Sequence, residues 1–154
     1  MAEHHYQLEV VWQGSRSKGT TGYRDYGRQV LVCAEGKPEL LGSADTAFRG
    51  DADRWNPEEL LVAALSQCHL LSYLHVAVSN GIVVTAYEDH PVGTMLQEGA
   101  GGRFTGVTLR PVVTIADPAQ VDVAMSIHHE ASQACFIAAS VNFPVGHRPR
   151  IKVA

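Results

Sequence analysis

Residues 60–78 (LLVAALSQCHLLSYLHVAV) would be apolar on nearly every side of a helix, and this constrains the chain more than any other feature. Signals at both ends mark one helix. Asn56 suits the N-cap, Pro57 the first helical position and Glu59 the third, where it closes a capping box. Asn80-Gly81 is a good C-terminal stop. A helix with no polar face must be covered all round. The run is long enough to span a bilayer, but Ser66, Gln67, His69, Ser72 and His75 are each costly in hydrocarbon. A buried core helix is expected, and no membrane partner.

The rest of the chain sets what can cover it. Residues 6–12, 29–33 and 40–46 alternate as strands do, separated by turns rich in Gly or Pro, which reads as an antiparallel meander. Residues 82–88 and 103–116 are rich in Val, Thr and Ile and read as a second hairpin, with the glycine-rich residues 93–102 as its connection. Asp117-Pro118 opens a second long helix expected to run to about residue 140, and residues 150–153 form a last strand. This is an α+β pattern of antiparallel sheets with two long central helices, without regular βαβ alternation. No linker or repeat divides the 154 residues, so a single domain is expected. One small sheet covers one side of the first helix. A second subunit is expected to cover the rest, making a homodimer.

Charge removes other classes. Twelve Lys plus Arg against sixteen Asp plus Glu give a net charge of −4 with no basic block, so no nucleic-acid partner is expected. The N-terminal residues MAEHHYQLEV lack the basic and apolar regions of a secretory signal, which points to the cytoplasm. Cys33, Cys68 and Cys135 are an odd number without CxxC spacing, so neither a disulfide framework nor a ribbon-type zinc site is indicated.

Cys68 and Cys135 each stand in an apolar run, where an unpaired cysteine is often simply a small core residue. Against that, Cys68 shares a helical stripe with Ser72 and His75, and Cys135 with Ser132 and His128. A reactive thiol must become thiolate, which needs a cation, a helix N-terminus or a metal. Cys68 lies about three turns into its helix, beyond the reach of the dipole. A cation must come from elsewhere, and Arg24, in the loop Gly22-Tyr23-Arg24-Asp25, is a candidate. Cys68, His75, His128 and Cys135 are also residue types that bind zinc. Residues seven apart on a helix are ~10 Å apart along its axis, too far to share one tetrahedral ion. No metal or cofactor is expected. Cys33, in a strand, reads as structural.

The run from Asn56-Pro57-Glu58-Glu59 to Gln67-Cys68, the loop bearing Arg24, and the late helix bearing Cys135 together resemble the OsmC/Ohr family of thiol peroxidases, over almost the whole chain. The resemblance implies an intertwined α+β homodimer that reduces organic hydroperoxides and, in some members, hydrogen peroxide. It implies Cys68 as the peroxidatic thiol, Cys135 as the resolving thiol, Arg24 as the group that stabilises the thiolate, and Glu58 as the residue orienting Arg24. A dithiol donor, in the family often a lipoyl protein, would reduce the resulting disulfide. Two features depart from the family pattern. Cys135 is followed by Phe136-Ile137-Ala138 where Pro and a small polar residue are common, so the helix is expected to continue past it. His69 follows Cys68 where apolar residues are common, which implies a wetter pocket. An OsmC-like small-molecule binder without peroxidase activity is the alternative.

Overall fold

A computed structural model describes all residues, Met1–Ala154. The chain forms two compact units, Met1–Leu60 and Leu61–Ala154.

In the first unit, β1 (Glu9–Trp12), β2 (Val30–Cys33) and β3 (Leu40–Gly42) form the expected antiparallel meander in the order β1-β2-β3. The segment between β1 and β2 is pinned at its base by the Trp12 indole N–H, which donates to the Gly27 carbonyl at 2.9 Å, and by Gly27 N–H to the Gly14 carbonyl at 2.7 Å. A Cβ on Gly14 would stand 2.0 Å from that Gly27 oxygen, so only glycine fits. Asp51 ties the other end of the meander together, accepting from Gln29 Nε2 at 2.7 Å and Ser43 Oγ at 2.9 Å.

Helix α1 spans Pro57–Ser79. Its start is the predicted capping box: Asn56 Oδ1 accepts from Glu59 N–H at 2.8 Å, and Glu59 Oε2 accepts from Asn56 N–H at 3.2 Å. Glu58 and Glu59 also place negative charge in the first turn, where the helix dipole favours it. Its end is a Schellman motif. Gly81 takes φ +67°, Ile82 N–H reaches Ala77 O at 2.9 Å and Gly81 N–H reaches Val78 O at 3.0 Å.

The second unit holds two three-stranded sheets. One has the order β4-β7-β9, from β4 (Val84–Asp89), β7 (Pro111–Ile115) and β9 (Arg150–Val153), and the other β5-β6-β8, from β5 (Val92–Glu98), β6 (Gly101–Leu109) and β8 (Val145–His147). Each sheet mixes an antiparallel pair with a parallel one, β7 with β9 and β6 with β8, where antiparallel sheets throughout were expected. The glycine-rich segment is not a connection. Its residues form β5 and the start of β6, a hairpin turning at Gly99 with φ +61°.

The second long helix is also corrected. After a 3-10 turn at Pro118–Gln120, α2 covers only Val121–Gln133, the chain breaks at Ala134 and Cys135, and a single turn α3 (Phe136–Ala139) follows. Tyr73, Val76 and Ala77 of α1 pack with Val113 and Ile115 of β7 and Ala124, Ile127 and Ala131 of α2. A second cluster joins Leu65 of α1 to Val107 and Leu109 of β6. By length and composition alone α1 could cross a membrane, yet these contacts use it as the core helix of the unit.

Replacing Asn56 by Ala removes the acceptor of a two-way cap, with an expected cost of about 1 kcal/mol. Urea denaturation should show a lower midpoint with an unchanged slope; an unchanged midpoint would mean that the cap contributes nothing.

Candidate active site

The two faces of α1 carry different chemistry. Cys68, Leu71, Ser72 and His75 line an apolar groove of about 700 Å³, whose other wall is Ala134, Phe136 and Ile137. The stripe of Cys, Ser and His inferred for α1 is therefore real, and it faces open space. The matching stripe on the second helix is not. His128 is buried away from solvent, Ser132 Oγ donates to the His129 carbonyl, and α2 ends before Cys135.

The break before α3 is what delivers Cys135 to this site. Cys135 is the N-cap of α3, its Sγ accepting from Ala138 N–H at 3.4 Å, and it is 2% exposed. Proline is not needed for the break because the cysteine itself, in extended conformation at φ −81° and ψ 104°, satisfies the next turn. Ser72 Oγ donates to the Ala134 carbonyl at 3.4 Å, tying α1 to this bend one residue before Cys135. Burial, then the neighbouring Cys68 thiol, push the Cys135 thiol up to about 11. Cys135 thus holds its proton at neutral pH, while half-buried Cys68 is the sulfur that faces the groove.

His69 does not make the groove wetter, since it points to the opposite face and is fully buried. There it meets His128, Nε2 to Nδ1 at 3.0 Å, and its ring lies 4.3 Å from that of His147. The His128 ring stacks on Tyr73 at 4.2 Å, and the Tyr73 hydroxyl donates to the Ala124 carbonyl at 2.8 Å. His69 Nδ1 and His128 Nε2 have no partner. Whichever imidazole donates, the pair ends in one bare nitrogen and one unpaired N–H. Neither ring has room for a charge. Burial, then the neighbouring imidazoles His147 and His128, lower His69 to about 3, and burial followed by His147 lowers His128 to about 4. Nothing in residue spacing signals this cluster, because its members come from three distant segments. The four residues weighed for zinc do not converge: His75 is exposed on the groove side while His128 lies in this cluster.

In the first unit, Arg24 is exposed and Glu58 half-buried, and no ion pair joins them. Glu58 Oε2 is buried without a hydrogen-bond partner. The guanidinium that organises the Arg24 loop is Arg28, which composition alone does not single out. It sits 4.0 Å from the Tyr26 ring centre and 4.6 Å from that of Tyr23, and donates to the carbonyls of both residues at 2.6 and 2.8 Å. Cys33 lies in β2 of the first unit, whereas Cys68 and Cys135 belong to the second.

The buried imidazoles make acid destabilising. In the unfolded chain they take protons near ~6.5, whereas folded His128 and His69 hold out to about 4 and about 3. The unfolded state binds more protons in that window, so their contribution is whole above pH ~6.5 and lost as pH falls toward 4. Each histidine adds a slope of up to roughly 1.4 kcal/mol per pH unit. Thermal melts of wild type and His128→Phe between pH 7.5 and 4.5 check this, and the variant should lose stability more gently. Parallel pH profiles would remove His128 as a source.

Comparison with known proteins follows the same architecture. The model of the family described as OsmC-like protein matches residues 50–148. A search of curated proteins finds no match. Among solved structures, an OsmC-like protein of unknown function from Vibrio cholerae is 29% identical with a TM-score of 0.84, over 97% of this chain and 100% of that one. An organic hydroperoxide resistance protein from Elizabethkingia anophelis is 17% identical with a TM-score of 0.69, over 99% and 100% of the two chains. The organic hydroperoxide resistance protein OhrB of Bacillus subtilis is 20% identical with a TM-score of 0.62, over 96% and 98%. At these identities the last two share the fold. With its capping box, its helix-borne Cys68 and a family match across most of its length, the chain belongs to the OsmC-like family.

Proposed function

We propose that this protein is a cysteine-based peroxidase for organic hydroperoxides, working as one OsmC-like domain of a cytoplasmic homodimer. The observation that carries the reading is the thiol pair: a groove-facing Cys68 beside a buried, protonated Cys135. The Cys68 thiolate attacks one peroxide oxygen, the O–O bond breaks, and Cys68 becomes a sulfenic acid while the alkoxide leaves. The alkoxide needs one proton, and the Cys135 thiol is the acidic hydrogen beside the reacting sulfur. Having given it up, the Cys135 thiolate attacks the sulfenic sulfur, hydroxide leaves and takes up a proton as water, and a disulfide forms. A dithiol donor, such as a lipoyl protein, then returns both sulfurs to thiols. The apolar lining from Leu71, Phe136 and Ile137 favours an alkyl or aryl peroxide over hydrogen peroxide.

Arg24 and Glu58 take supporting roles. Arg24 supplies the cation that a thiol deep in a helix lacks. The unpartnered, buried Glu58 oxygen supports its role as acceptor for that guanidinium, within the chain or across the dimer. A second copy of the chain is supported by the apolar surface left open: Phe136 is 80% exposed, Val78 77% and Leu71 57%.

Steady-state turnover of cumene hydroperoxide with dihydrolipoamide tests the assignment. Cys68→Ser should abolish turnover, Cys135→Ser should stop after one oxidation, and Cys33→Ser should stay near wild type. Retained turnover in Cys68→Ser would contradict the mechanism, and absence of turnover in the wild type would favour a ligand-binding protein.

A further inference from the structure

Outside the thiol groove, the β5-β6-β8 sheet carries a polar recess of about 290 Å³ lined by Val92, Thr94, Thr105, Gly106, Thr108, Arg110 and Arg148. Strand alternation sets most of its residues, and the β-bulge that shifts register between Thr94 and Met95 adds Thr105. Val107 and Leu109 of β6 turn into the core, so Gly106, Thr108 and Arg110 turn outward. Register sets Val92 opposite Thr108 and Thr94 opposite Gly106 on β5. On the other side, β8 runs parallel with Thr108 beside Gly146 and Leu109 beside His147. The next residues on both strands are the two arginines. Arg148 N–H donates to the Leu109 carbonyl at 2.8 Å, and Arg110 N–H donates to Asp89 Oδ1 at 2.6 Å, so both backbones are held in place.

The two arginines stand just past the paired ends of these strands and both line the recess, where like charges repel each other. The chain places no carboxylate within ion-pair distance of either guanidinium, although the Asp89 carboxylate meets the Arg110 backbone. Its ion pairs are His5 with Glu3 and Lys152 with Glu88, and neither involves these arginines. Asp89, held by the Arg110 backbone, spends its other oxygen on the Ser66 hydroxyl. Hydroxyls supply the rest of the floor: Thr105 Oγ1 is spent on the Thr94 carbonyl at 3.2 Å, while those of Thr94 and Thr108 make no bond within the protein. Gly106 and Gly146 keep the floor low, and a Cβ on Gly146 would stand 4.0 Å from Thr108 Oγ1.

We propose that this recess is an anion site that takes the phosphate group of a small phosphorylated metabolite, with Arg110 and Arg148 as its paired forks and Thr94 and Thr108 as hydroxyl donors. A tetrahedral dianion suits this set better than a carboxylate, because its several oxygens can be shared by two guanidiniums and two hydroxyls at once. The small volume admits a headgroup with a short organic stub resting on Val92.

Titration calorimetry of the full-length protein with inorganic phosphate at pH 8 and constant ionic strength tests the site, with chloride as control. Saturable binding of one phosphate per chain is expected. Arg110→Gln and Arg148→Gln should each weaken it about tenfold or more, as expected for losing a charge-assisted bond. Arg148→Lys, which keeps the charge and loses the fork, should fall between them and wild type, with folding checked by circular dichroism. No saturable binding to wild type, or equal affinity in the folded arginine variants, would overturn the proposal. Vesicles of phosphatidic acid in phosphatidylcholine form a second arm; Arg-dependent sedimentation with them at phosphate concentrations where free phosphate fails to bind would assign the group to a lipid and overturn the metabolite. Cys68→Ser should bind phosphate like wild type, so failure of the peroxidase reading leaves this result independent.

Discussion

The structure depends on one constraint, a 23-residue helix with apolar residues on every side. Such a helix cannot rest on a single sheet, and its two faces have been given separate tasks. One face closes the core of the second unit, with Leu65, His69, Tyr73, Val76 and Ala77 all buried. The other presents Cys68, Leu71, Ser72 and His75 to a groove. Cys68 is thereby carried on a helix whose opposite face is packed into the core, which suits the role proposed for it.

The second thiol arrives by a different route. Apolar spacing alone would let the second helix run through Cys135, and its sequence contains no proline to stop it. The helix ends because Cys135 caps the next turn with its own sulfur. In that position it is buried, and burial keeps its thiol protonated at neutral pH. Local backbone chemistry and the redox role proposed for Cys135 therefore fall on one side chain. In the proposed cycle, oxidation of this sulfur would change the cap of α3, which carries Phe136 and Ile137 of the groove wall.

Much of this was legible in the residues. Asn56, Pro57, Glu59 and Gly81 each encode local geometry, so the bounds of α1 could be read to within a residue. The strand Arg150–Val153 matches its expected bounds, and alternation marked the meander, whose first and third strands are shorter than the expected residues 6–12 and 40–46. The hairpin of β5 and β6 was hidden because glycine usually marks turns, whereas Gly93 is there for close packing: a Cβ would stand 2.8 Å from Phe104 and from Val62. The strand Val145–His147 is too short to show a period. The histidine cluster was invisible for a deeper reason. His69, His128 and His147 meet only after two helices and a parallel strand have been brought together, and no local rule connects them.

The central claim is that Cys68 and Cys135 form one redox unit. It is tested most directly by adding one equivalent of cumene hydroperoxide to the fully reduced protein, counting free thiols and mapping the peptides without reduction. The account predicts the loss of two thiols per chain, a cross-linked peptide joining Cys68 to Cys135, and Cys33 left free. Retention of all three thiols, or a disulfide that includes Cys33, would contradict it.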